Sequence, residues 1–142
     1  MAESAFREAT AKKDLDDARM IRHLEGEGLI RQASAKGDGA KIERDFRLDE
    51  GESESIAIAR EKGAICATDD GPAIRCIKVL GLPFTTAVAL LVAMVESGHV
   101  ASDLGLELLS KLERFGRYDP RILEDAARRI REAGRSDKGG RQ

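Results

Sequence analysis

The sequence predicts an α/β domain built on a parallel sheet with right-handed crossovers. Two observations carry that prediction. The centre of the chain alternates helix, strand, helix, strand, helix. Its best strand candidate, Ala64 to Thr68, is a continuous small-apolar run of the kind found in strands buried on both faces. Composition adds that the core is aliphatic, since aromatic residues make up 4% of the 142 residues and tryptophan is absent.

The elements follow in order. Ser4 to Glu25 reads as helix with an interruption near Lys12–Asp14, because Phe6, Ala9, Leu15, Ala18, Ile21 and Leu24 recur at three- and four-residue steps. Gly26 and Gly28 stop it, Leu29 to Ser34 is a short strand candidate, and Ala35 to Ala40 is a loop. A helix starts at about Asp49 and runs to Lys62, where Gly63 supplies the C-terminal stop. After the strand at Ala64, Asp69-Asp70-Gly71 makes a turn, and Pro72 sits in the first turn of a helix ending at Gly81. Leu82 to Thr85 is a further strand, and an Ala/Leu/Val-rich helix follows to Gly98. Two more helices are expected, about Ser102 to Phe115 and Pro120 to Ala133, capped by Ser102 and Asp119. This organisation is one domain over 1–133, with a disordered tail over 134–142.

Charge and cysteine usage bound the function. A formal net charge of −2 excludes a strong bulk attraction to nucleic acid. Lys12, Lys13, Arg19 and Arg22 form one local basic group and Arg128, Arg129 and Arg131 another, each interleaved with acids as on a solvated helix face. Cys66 and Cys76 have no metal-ligand spacing and read as a buried strand residue and an apolar helix residue, as in a reducing cytoplasm. Met1 leads into a polar stretch rather than a signal peptide, and the longest apolar run, Phe84 to Val95, is too short to span a bilayer. The expectation is a soluble cytoplasmic protein with no membrane partner.

Ligand sites in open α/β sheets lie beyond the C-terminal ends of the strands. Asp69 and Asp70 stand at such an end, and Glu50, Glu52 and Glu54 crowd the first turns of the preceding helix. A hard divalent cation takes oxygen ligands from this kind of set. Two readings stand side by side. Close carboxylates repel and raise one another's pKa unless a cation separates them, which favours a metal site. Acids in a first helical turn also suit the macrodipole, and Asp after a strand is ordinary turn chemistry. Other chemistries find no pattern: Gly37-Asp38-Gly39 lacks the context of a phosphate loop, and His23 and His99 stand alone at helix ends. Thr85 and Thr86 either position a phosphate or water or cap the next helix.

The ordered set Gly51-Glu52-Ser53-Glu54-Ser55-Ile56-Ala57, Gly63-Ala64, Thr68-Asp69-Asp70, Leu80-Gly81-Leu82-Pro83 and Thr85-Thr86 resembles PIN-domain proteins of a prokaryotic, toxin-like branch. The likeness covers Leu48 to Val100 and extends more loosely through Phe115-Gly116-Arg117-Tyr118 and the last helix. It implies a three-layer α/β/α fold with extra C-terminal helices and a metal-dependent ribonuclease site. By position, Glu52 matches the acid at a helix start, with Glu54 a second candidate. Asp70 matches the strand-end acid, with Asp69 sharing the role, and Glu8 matches a glutamate on an earlier helix. Glu52, Glu54, Asp69 and Asp70 would then hold Mg²⁺ or Mn²⁺, and Glu8 would orient water or metal.

The chain departs from the family pattern at its start. Met1 runs straight into Ala2-Glu3-Ser4, where family members carry a strand ending in a metal-binding aspartate. The expectation is an N-terminally truncated member with weak metal affinity, whose exposed sheet edges favour a homodimer. The partners implied are an RNA substrate and an antitoxin protein. The alternative is a catalytically impaired relative that binds an antitoxin or RNA without cutting. A CheY-like domain ranks last, lacking an acid-rich first strand end and a later lysine in order.

Overall fold

The computed structural model describes residues 1–139 of the chain, and side chains through residue 135. Eight helices and two short strands follow one another among these residues: α1 (Glu3–Ala9), α2 (Asp16–Gly26), α3 (Gly39–Phe46), α4 (Glu50–Lys62), β1 (Cys66–Ala67), α5 (Gly71–Val79), β2 (Phe84–Thr85), α6 (Ala87–Glu96), α7 (Ser102–Phe115) and α8 (Pro120–Gly139). The chain is α/β with a small parallel sheet of two strands, β1 and β2, tied by the Cys66 N–H donating to the Pro83 carbonyl at 3.1 Å. The strand candidate at Leu29 to Ser34 does not join that sheet. It contributes one isolated parallel bridge, Ala33 to Ala2. Leu29 is 76% exposed, so this segment buries too little to hold an extended ladder.

Contacts divide the chain into two compact units, Met1–Phe84 and Thr85–Gln142, where the sequence alone suggests one domain over 1–133. Each has its own aliphatic core. In the first, Ile42, Ile56 and Ile77 pack with the small residues Ala57, Ala59 and Ala73 and with Cys66 and Cys76. In the second, Val88, Val92, Val95, Leu109 and Ile130 pack among α6, α7 and α8. Burying each of these large side chains is worth about 1.5–3 kcal/mol.

Two differences from the sequence reading have clear physical causes. The loop expected from Ala35 to Ala40 holds as far as Asp38, and α3 begins at Gly39, where no helix was expected; its Ile42 and Phe46 are one helical turn apart and both face the first core. Gly134, read as the start of a disordered tail, is helical, and α8 continues to Gly139. A Cβ on Gly134 would lie 2.6 Å from the Ser102 side chain, so this glycine is a close-packing contact and not a stop. Residues 140–142 of the expected tail lie outside the described residues. Ser102 itself does not cap α7. Its hydroxyl donates to the Ile130 carbonyl at 2.9 Å and ties α7 to α8 instead.

Candidate active site

The first unit brings two acids to the wall of one pocket, with a third, Asp70, near enough for its charge to act on one of them. Gly63, in the left-handed conformation at φ 61°, ends α4 and turns the chain into β1. The chain leaves β1 through Thr68-Asp69-Asp70 and enters α5, with Pro72 in its first turn. A pocket of about 460 Å³ opens beside the C-terminal end of β1, between α1 and the first turns of α4. Glu8 from α1 and Glu52 from α4 line it, with Thr68 and Ala67 on the strand side.

Gly51 favours this arrangement. A Cβ there would stand 3.0 Å from Glu8 Oε2 and 3.2 Å from the Ala5 Cα, so a larger residue would make α1 give by a few tenths of an ångström. The sequence reading passed over Gly51. Its signal was a glycine inside a helix, which costs about 1 kcal/mol relative to alanine and asks for a packing reason.

Electrostatics single out Glu52. Burial raises its pKa first of all; Asp70 raises it next, and Asp49 and Glu8 add to the rise, against a backbone hydrogen bond at Asp49. Glu8, Glu52 and Asp70 therefore share one field. Asp70 also has a structural duty: its Oδ2 accepts from the Ala73 N–H at 2.8 Å, capping α5, while its own N–H donates to Thr68 Oγ1 at 3.1 Å.

The other two predicted ligands lie elsewhere. Glu54 is two residues from Glu52, and positions two apart do not share a helix face. Its Oε2 accepts from the Ser4 N–H at 2.9 Å and from the Ser4 hydroxyl, locking α4 to the start of α1. Burial works against its charge, but the Ser4 and Ala35 hydrogen bonds and nearby Arg7 outweigh it and hold its pKa low. Asp69 is exposed and does not line the pocket. Among the described residues, no three His, Cys, Asp or Glu side chains converge closely enough to hold a metal. The donors fit a hard cation in kind, and they fit the mode in which one or two carboxylates bind and water completes the shell.

The remaining candidates take bland roles. Thr86 Oγ1 accepts from the Ala89 N–H at 3.2 Å and caps α6. Burial pushes the thiols of Cys66 and Cys76 up, as for unreactive core cysteines. Arg19 pairs with Asp16 at 2.6 Å and Arg129 with Glu96 at 2.7 Å, while Arg128 pairs with Asp125 and Glu132. A larger cavity of about 630 Å³ in the second unit holds the Arg129–Glu96 pair, so its charges are already matched.

The fold and the pocket define a small-sheet α/β domain with carboxylates gathered at a strand end. A family model described as a PIN domain matches residues 1–132, and the chain belongs to the PIN-domain family, whose fold is nuclease-like. No curated protein and no solved structure matches it. Among the described residues, no helix is long and apolar enough to cross a membrane.

Proposed function

We propose that the chain carries the acidic site of a divalent-metal-dependent ribonuclease of toxin type. The observation that supports this most is Glu52, an acid that lines a pocket beside Glu8 and is pressed by the charges of Glu8 and Asp70. When bound, Mg²⁺ or Mn²⁺ would supply Lewis acidity and a water of lowered pKa for phosphodiester hydrolysis. Glu52 and Asp70 would hold the ion, Asp70 through the oxygen not engaged at Ala73. Glu8 would orient the attacking water from the opposite wall. The three-layer arrangement, an RNA substrate, an antitoxin partner and a homodimer belong to the same reading.

A second reading, binding of RNA or an antitoxin without cleavage, is favoured by two observations. Glu54 is committed to Ser4, and no three acids converge among the described residues. Titration calorimetry with Mn²⁺ and a parallel RNA-cleavage assay separate the two. The nuclease reading expects saturable binding and Mn²⁺-dependent cleavage, both lost in Glu52→Gln/Asp70→Asn. Absence of Mn²⁺ binding by the unsubstituted chain overturns it.

A further inference from the structure

The second unit carries an apolar surface that reaches beyond its own core. α7 buries Gly105 and Leu109 inside that unit. A surface helix keeps its other sides polar when only solvent meets them. Here Leu104, Leu108, Lys111 and Phe115 follow one another at steps of four, three and four, which puts them in one stripe on a different side of α7. Phe115 is 85% exposed and Leu104 about half exposed. Beside the stripe, a groove of about 390 Å³ lies between α6 and α7, walled by Leu90, Met94, Leu108, Leu112 and Phe115, and Lys111 brings a charge to it. Leu90 and Met94 are also about half exposed. Leu104 stands outside this groove.

We propose that this face docks on the same face of a second copy of the chain, the two α7 helices lying antiparallel across a two-fold axis. Spacing is the first argument. Steps of four, three and four read the same in both directions, so an antiparallel copy sets Leu104 against Phe115 of the partner subunit and Leu108 against Lys111 of the partner subunit. Each contact occurs twice, as a two-fold interface requires. Leu104 then enters the partner's groove beside its phenyl ring. Charge is the second argument. Lys111 pairs with Glu107 of its own helix at 2.8 Å, and the same register brings it beside Glu107 of the partner subunit, so the seam stays neutral. Area is the third. A standard interface takes about 800 Å² from each partner, about 65% of it apolar in a homodimer. Phe115, Leu90, Met94 and Leu104 offer on the order of 500 Å² of exposed apolar surface, which meets that share. The proposal assigns a surface to the homodimer of the nuclease reading and rests on that reading for the assembly alone.

The test is sedimentation equilibrium of the full chain in EDTA, where failure of metal binding or cleavage leaves the result untouched. A dimer is expected at about 100 μM, with its dissociation constant raised about thirtyfold or more by Phe115→Asp, as for a hot-spot side chain. Phe115 is so exposed that the variant should keep the circular dichroism of the unsubstituted chain. Register is read by cross-linking: Leu104→Cys mixed with Phe115→Cys should form a disulfide-linked pair faster than either variant does alone, the native cysteines being buried. Amide exchange in α7 should slow as concentration rises, which needs no variant to fold. A monomer at that concentration, a dimer indifferent to Phe115→Asp (as one joined at the sheet edges would be), or cross-linking no faster in the mixture overturns the proposal.

Discussion

The two units use charge in opposite ways. In the second, Arg129 pairs with Glu96 and Arg128 with Asp125 and Glu132 on the surface, and the buried residues between the helices are aliphatic. In the first, an acid ties two helices together at Glu54, while Glu52 lines a pocket with Glu8 and feels Asp70 as a further like charge. A domain region built for packing alone has no reason to keep like charges together. The first unit therefore holds the candidate site.

The largest expected effects come from the cores. Ile56 and Ile130 are each fully buried, and replacing either with alanine should cost about 2–5 kcal/mol. Ile130→Ala should speed amide exchange in α6 to α8 and leave α3 to α5 unchanged, with Ile56→Ala doing the converse. Faster exchange across both units from either substitution would show that they unfold as one and would break the comparison.

The contrast inside the first unit is sharper and smaller. Glu54 has a lowered pKa, so the stability it contributes is present above the unfolded-state value and is lost as pH falls through its folded pKa. Glu52 has a raised pKa, so its contribution is present at low pH and is lost as pH rises through its folded pKa. At pH 7, urea denaturation should show Glu54→Gln destabilised by about 1.5 kcal/mol, the scale of a hydrogen bond to a charged group. Glu52→Gln should be stabilised, and the two variants should draw together at pH 3. The smallest effect belongs to the second unit: Arg129→Ala should lose about 0.2–1 kcal/mol, as exposed ion pairs do, and less in high salt.

The order of helices was legible because each is bounded by chemistry that acts locally: Gly63 in its left-handed turn, Pro72 in a first turn, Asp70 and Thr86 as caps. The acids at the end of β1 were legible for the same reason. What distinguishes Glu52 from Glu54 was not, although helical phase alone separates them, because which face meets the pocket depends on where α1 docks. That docking is favoured by Gly51, whose reason lies 43 positions back, at Glu8. Ser102 and Gly134 pose the same difficulty: each resembles a helix boundary signal, and each is spent on the other across two helices.

Asp70 serves two masters with one carboxylate. Its Oδ2 holds the first turn of α5, and its charge belongs to the pocket. Asparagine caps helices as well as aspartate does. A single Asp70→Asn change would therefore strip a charge from the pocket while α5 keeps its start. The fold offers almost no thermodynamic resistance to removing this charge, so the charged and the neutral versions of the domain would be nearly equal in stability.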